Sequence, residues 1–131
     1  MSEKNNKQIV RDFFDAGNRN DTDKFVAMIA DDVIWTAVGR TRLSGTFRGK
    51  AELNEKLFGP LFGSLKQGIH MTEEQMIAEG DRVVAECSGK AETLDGKPYN
   101  NHYCWIIRIR DGQLAEVTEF ADTELIASVF G

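Results

Sequence analysis

Glu119 is the residue in this sequence whose type and position best suit acid–base chemistry. It stands near the end of the predicted strand QLAEVTEFA, in which alternate residues are apolar. Desolvation by Val117, Trp35 and Trp105 would raise the pKa of its carboxyl group toward neutrality, where a general acid or base works best. The alternatives are a structural carboxylate bound to a backbone amide or to Tyr103, and a rim residue in water.

The turn at Asp111–Gly112 decides which side chains share a face with Glu119. A two-residue turn places Glu119 opposite Cys104, whereas a type I turn with a glycine bulge places it opposite Tyr103. We favour the bulged register because it places the more apolar side chains of both strands together on one face. That face holds Asn101, Tyr103, Trp105, Ile107, Ile109, Ala115, Val117 and Glu119, and the other holds His102, Cys104, Ile106, Arg108, Arg110, Leu114, Glu116, Thr118 and Phe120.

An apolar wall whose polar groups cluster at one end describes a pocket for a small, largely apolar molecule. The sequence predicts Glu119 as the base, with Tyr103 or Asn101 as hydrogen-bond donor to developing negative charge. Isomerisation, cyclisation and hydration would all fit this arrangement, and a pocket protein or dimeric scaffold without catalysis is the alternative. The predicted substrate-binding residues are Trp35, Trp105, Val117, His70 and Glu86.

For two of these residues, Glu86 and His70, the sequence supports another interpretation equally well. Glu86 shares a strand face with Ser88, and an antiparallel partner would bring that face near Asn101 and Tyr103. A solvated strand surface is the competing interpretation for Glu86. His70 would titrate near Glu119 only if its strand turns that face inward, and the pattern does not decide the phase.

The sequence lacks the signatures of metal, nucleotide and thiol chemistry. His70 and His102 lie far apart and form no metal-binding motif, and neither Cys87 nor Cys104 has an adjacent base. The glycines of GRTRLSGTFRGK do not follow the strand–loop–helix pattern of a phosphate-binding loop. We therefore predict neither a metal nor a cofactor.

The helices and strands that position these residues follow from the spacing of apolar residues, which changes once along the chain, near Phe62, from helical to strand spacing. Helical spacing predicts helices at about 2–16, 21–32 and 50–62, with Pro60 kinking or ending the third, and a C-terminal helix at 123–130. Strands are predicted at 33–38, 68–78, 82–94, 99–110 and 113–121. Helices followed by a strand meander indicate an α+β fold, in which three N-terminal helices cover a curved antiparallel or mixed sheet.

Length and charge limit the function further. The 131 residues suit one domain, 1–131, and the net charge of −5 with no basic stripe argues against nucleic acid. No apolar run reaches the length of a membrane span, so no membrane partner is predicted. The N-terminal sequence MSEKNNKQ is polar, and two cysteines are too few for a disulfide scaffold, which predicts a cytoplasmic protein.

The segments FVAMIADDVIW, FRGKAEL, IAEGDRVVAE and DGKPYNNHYCWIIRIRDGQLAEVTEFADT resemble the SnoaL-like branch of the nuclear transport factor 2-like superfamily. The resemblance spans nearly the whole chain and implies a cone-shaped α+β fold shared with ketosteroid isomerase, polyketide cyclases and limonene epoxide hydrolase. That scaffold hosts many chemistries, so the resemblance predicts the fold more specifically than the activity.

The resemblance to limonene epoxide hydrolase aligns that enzyme's catalytic Asp with Glu119. Its Arg and second Asp correspond to Glu86 and Ser88, and its water-holding Tyr and Asn correspond to Trp35 and Ala37. Epoxide hydrolysis by that mechanism is therefore not expected. The ketosteroid isomerase pattern of a Tyr, a protonated Asp and an Asp base is matched by one carboxylate and Tyr103 at best.

The outer face of the predicted sheet suggests a homodimer. Ile106 and Phe120 share this face with His102, Cys104 and Thr118, and no helix remains to cover them. A second copy of the same face is the simplest cover, because a two-fold axis makes the patch self-complementary. The resemblance implies the same, since related cones commonly pair through their sheets.

Overall fold

The computed structural model describes residues 2–131 and contains a six-stranded sheet and five α-helices. The helices are α1 (Glu3–Asn18), α2 (Thr22–Ala27), α3 (Lys50–Leu53), α4 (Gly59–Gly63) and α5 (Thr123–Phe130), with a π turn (Asn54–Phe58) between α3 and α4. The strands are β1 (Ile29–Ala37), β2 (Gly45–Arg48), β3 (His70–Glu79), β4 (Arg82–Lys90), β5 (His102–Arg110) and β6 (Gln113–Ala121). None of the helices in this part of the chain is long and apolar enough to cross a membrane.

The sheet has the strand order β2-β1-β6-β5-β4-β3, and α1 packs against β3 and β4. The pairing of β1 with β6 is parallel and the other pairings are antiparallel. The α+β class with a mixed sheet is therefore confirmed. Alternate residues of β4, β5 and β6 face the helices and build the core, in which Phe13 of α1 and Trp35 of β1 are almost fully buried.

Capping side chains define the starts of three helices. The Ser2 hydroxyl accepts from the Asn5 backbone N–H, and the Asp21 carboxylate accepts from that of Lys24. Asp122 caps α5 by accepting from the Leu125 N–H. Each contact satisfies a backbone donor of the first helical turn that has no partner inside the helix.

The helix predicted to close at residues 31–32 is shorter in the structure. It ends at Ala27, and Ile29 already belongs to β1, where it pairs with Leu114 of β6. Both side chains are buried, so the packing of Ile29 in the sheet overrides its helical spacing. The glycine-rich stretch after β1 contains the short strand β2, which the pattern did not predict.

The third predicted helix is not broken at Pro60. The π turn precedes it, Pro60 stands at the start of α4, and the helix continues to Gly63. Proline has no backbone N–H to donate to the preceding helical turn. At the start of a helical segment that N–H would have no partner within the segment, so proline fits there. The helical segment as a whole therefore spans the predicted residues 50–62.

The last hairpin starts in the two-residue register, with Arg110 opposite Gln113, but neither predicted register holds as far as Glu119. Asp111 and Gly112 both have positive φ, of 53° and 74°, as in the two-residue turn that Asp-Gly favours. The expected bulge is present, but it lies farther along β6, where Ala115 is the extra residue. Glu119 therefore pairs with Trp105, rather than with Cys104 or Tyr103.

The bulge also explains two differences in burial. Leu114, expected on the outer face, is fully buried opposite Ile109, and Ala115 is buried beside it. The extra residue then returns Val117 and Glu119 to the inner face, because an insertion of one residue reverses the alternation of side chains.

Candidate functional site

A cavity of about 330 Å³ lies between the inner face of the sheet, helices α1 and α2, and the helical segment 54–63. Most of its wall is apolar, and eight of the lining residues are aromatic. The aromatic lining residues are Phe13, Phe14, Phe25, Trp35, Phe58, Phe62, Tyr103 and Trp105. Its polar lining residues are Glu119 on β6, Tyr103 on β5, Asn54 in the π turn, and Asn20, Asp21 and Thr22 between α1 and α2.

Two tryptophans flank Glu119, which is half-buried. Trp35 Nε1 donates a hydrogen bond to Glu119 Oε1 at 3.1 Å. The rings of Trp35 and Trp105 meet edge to face, with their centroids 5.2 Å apart. The sheet fixes this arrangement, since Trp105 is the antiparallel partner of Glu119 and Trp35 lies two residues before its parallel partner, Ala37.

The pKa of Glu119 is raised to about 7 from its ordinary value of 4.5. Removal of water from the carboxyl group is the main cause, and the indole N–H groups of Trp35 and Trp105 oppose it. Trp105 Nε1 is buried and has no hydrogen-bond partner within residues 2–131, so Trp35 supplies the well-formed indole hydrogen bond to this carboxyl group. A carboxyl group with this pKa exchanges a proton near neutral pH.

Tyr103 lines the cavity, but its hydroxyl group is partly engaged elsewhere. It donates to the hydroxyl oxygen of Tyr99 at 3.5 Å, the long end of a hydrogen bond. Burial raises the pKa of both tyrosines, so both phenols are neutral near neutral pH. Tyr103 therefore brings a neutral donor to the wall, with a weak existing partner.

Asn101, the second predicted donor, is not among the lining residues of the cavity. Its amide nitrogen donates to the Tyr99 hydroxyl and to the Asp122 carbonyl, and its amide oxygen accepts from the backbone N–H groups of His102 and Asp122. The side chain is only 2% exposed, so these four contacts use its capacity. Asn101 joins the start of β5 to the cap of α5, which corrects the predicted donor role.

Glu86, His70 and Val117 also lie elsewhere than predicted. Glu86 is on the outer face of β4 and accepts from Gln75, and its Oε2 lies 2.7 Å from His102 Nε2. His70 is exposed at the start of β3, and the neighbouring residue, Met71, lines the cavity instead. Val117 is fully buried in the core behind the wall.

Sequence reasoning missed the helical half of the wall. Phe13 and Phe14 belong to the apolar stripe of α1, and Phe25 lies on α2, and apolar spacing in a helix predicts burial alone. Phe25 stacks on Phe13 with ring centroids 4.4 Å apart, so these rings belong both to the packed core and to the cavity wall. Their periodicity carried no signal that could separate a core residue from a cavity wall.

The comparisons with known proteins agree on fold and family. A family model described as a SnoaL-like domain matches residues 10–117. An NTF2-like protein from Burkholderia xenovorans LB400 is 26% identical with a TM-score of 0.77, and the match covers 100% of this chain and 99% of that one. A protein with a cystatin-like fold from Xanthomonas campestris is 23% identical with a TM-score of 0.85, over 96% and 98% of the two chains.

The fold also occurs in an enzyme. An LEH-like epoxide hydrolase from M. tuberculosis is 19% identical with a TM-score of 0.77, over 97% and 94% of the two chains. No curated protein matches this sequence. The family model covers most of the chain, and the fold of its structural relatives matches the α+β architecture described above. The chain belongs to the SnoaL-like domain family, within the NTF2-like fold.

Proposed function

We propose that this protein binds a small, largely apolar molecule in the aromatic cavity and performs acid–base chemistry on it, with Glu119 as the base. Tyr103 is the neutral hydrogen-bond donor of the same wall, and Trp35 and Trp105 hold the carboxyl group and shape the space beside it. Isomerisation, cyclisation and hydration are the reaction types that such a site would serve.

One observation carries this proposal: a carboxyl group with a pKa near 7 borders a cavity whose wall is otherwise mostly apolar. In water a carboxylate with an ordinary pKa is a weak base. Desolvation strengthens Glu119 as a base while still leaving it about half ionised at neutral pH. The cavity volume is at the lower end of the range typical of small-molecule sites, which favours a compact ligand.

A substrate that requires only proton abstraction tests the proposal. Nitrobenzisoxazole is flat and apolar, and a base removes its one acidic carbon-bound proton while the N–O bond breaks, giving a nitrile and a coloured phenolate. We expect saturable turnover by the wild-type protein, faster than with the same concentration of acetate. No acceleration over acetate, with binding to the cavity demonstrated by tryptophan fluorescence, would favour the alternative of a pocket protein without catalysis.

Epoxide hydrolysis is not proposed. The limonene epoxide hydrolase resemblance predicted Glu86 and Ser88 where that mechanism needs an Arg and an Asp. Here Glu86 forms its contacts with Gln75 and His102 on the outer face of the sheet. Glu119 is thus the one carboxyl group of that set that borders the aromatic cavity.

We further propose a homodimer through the outer face of the sheet. Three apolar residues remain exposed there, namely Ile77 at 61%, Phe120 at 43% and Ile106 at 37%. They stand on β3, β6 and β5, and no helix of residues 2–131 packs on that face. A stable dimer buries about 800 Å² per partner, an area that a face of four strands can supply.

The free thiols Cys87 and Cys104 agree with a reducing compartment, and we propose the cytoplasm.

Phe120→Glu is expected to convert this dimer to a monomer, because a charge would be buried at the centre of an apolar contact. Sedimentation at micromolar concentration should give about twice the chain mass of 14.7 kDa for wild type and the single chain mass for the variant. Leu94→Glu is the matched control, since Leu94 is 64% exposed in the loop between β4 and β5. A monomeric wild type, or equal dissociation by both variants, would contradict this interface.

A further inference from the structure

The aromatic cavity carries negative charge without a cation to balance it. Of its lining residues, Asp21 and Glu119 are acidic, and the described lining includes no Lys, Arg or His. Asp21 caps α2 and is exposed, whereas Glu119 is half-buried and accepts a hydrogen bond from Trp35. None of the ion pairs within residues 2–131 involves Glu119.

The immediate contacts of Glu119 favour its ionised form. Trp35 donates a hydrogen bond to the carboxyl group, and the N–H of Trp105 also lowers its pKa. A buried carboxylate is costly unless an opposite charge accompanies it. The cavity wall thus provides donors for a carboxylate but no countercharge, so the charge of Glu119 is balanced either by the proton that it takes up near pH 7 or by a positively charged ligand.

The rest of the wall also suits a positive charge. Aromatic faces attract cations through the negative charge density above their rings, most strongly for Trp and then for Tyr and Phe. Trp35, Trp105 and Tyr103 adjoin one another beside Glu119, with the centroids of Tyr103 and Trp105 6.3 Å apart. Aromatic rings beside one carboxylate combine the two features that attract ammonium groups.

We infer that the ligand of this cavity is an organic cation: a compact apolar molecule that carries one ammonium group, which pairs with Glu119 against Trp35 and Trp105. This inference rests on the proposed function, because it names the ligand class of the same site. A carboxylate or phosphate ligand is excluded by the same charges, since its anion would face Glu119 with no cation to receive it.

Glu119 is the group of this site whose charge changes near neutral pH. Burial raises the pKa of Cys87 to about 12 and raises those of Tyr99 and Tyr103, so all three are neutral near pH 7. A permanent cation should therefore bind more weakly below pH 7, where it must displace the proton of Glu119.

A pair of isosteric probes isolates the charge. Phenyltrimethylammonium and tert-butylbenzene have nearly the same shape and differ by one positive charge. Trp35 and Trp105 are the two tryptophans of the chain and both line the cavity, so tryptophan fluorescence reports directly on binding. At pH 8 we expect the cation to bind roughly ten- to thirtyfold more tightly than the neutral probe. Glu119→Gln should remove that preference, while Glu86→Gln on the outer face should keep it.

The outcomes separate this inference from the proposed function. Equal affinities of the two probes, or a preference that Glu119→Gln leaves unchanged, would overturn the organic-cation ligand while leaving an apolar pocket. Tighter binding of the neutral probe would do the same. If neither probe changes the fluorescence even at its solubility limit, both the ligand class and the proposed small-molecule pocket fail.

Discussion

Glu119→Gln is expected to lower the turnover of nitrobenzisoxazole by about 10² to 10⁴-fold, the usual contribution of a general base. The amide has nearly the shape of the carboxyl group, and its oxygen can still accept the hydrogen bond from Trp35 Nε1. The fold and the binding of apolar molecules should therefore survive. Initial rates at several substrate concentrations, together with circular dichroism of the variant, check this result.

The pH dependence of the same reaction identifies the base. Because the ionised form of Glu119 must take the proton, kcat/KM of the wild type should rise with pH through a midpoint of about 7. Glu86→Gln is the matched control, since it makes the same chemical change on the opposite face of the sheet and should leave both the rate and the midpoint unchanged. Unchanged turnover in Glu119→Gln would refute the proposed acid–base role.

Glu119 is also expected to make the protein less stable as the pH rises from about 5 to 8. The folded state holds this proton more tightly than the unfolded chain, because the pKa of Glu119 is about 7 when folded against an ordinary value of 4.5. Its contribution to the free energy of unfolding is therefore complete below pH 4.5 and is lost as the pH rises through 7. The loss amounts to about 3.5 kcal/mol by linkage, at about 1.4 kcal/mol per pKa unit.

Chemical denaturation of wild type and Glu119→Gln at a series of pH values measures this effect. The difference between their free energies of unfolding should shift in favour of the variant as the pH rises, because glutamine does not ionise. Glu86→Gln should shift in the opposite direction, since Gln75 and His102 lower the pKa of Glu86, and its stabilising effect fades as the pH falls. A wild-type profile that parallels that of Glu119→Gln would show that Glu119 has an ordinary pKa in the folded protein.

The change of periodicity along the chain was enough to predict the α+β class and most elements of this protein. Helical spacing and caps such as Ser2 and Asp122 act within one turn of backbone, so local residues decide them. Strand alternation likewise assigned Trp105 and Tyr103 to the buried face of β5. The prediction of Glu119 as the acidic group of the inner face rested on the same alternation.

Tertiary structure decided which residues meet. The bulge at Ala115 sets the partner of Glu119, and nothing in the turn sequence specifies an insertion three residues beyond it. Asn101 has the pattern of a wall residue, but its amide bonds to Tyr99 and Asp122, and long-range contacts of this kind leave no trace in strand spacing. Apolar spacing predicts only that a side chain is buried. Whether a buried side chain packs in the core or lines a cavity depends on which residues of other elements face it.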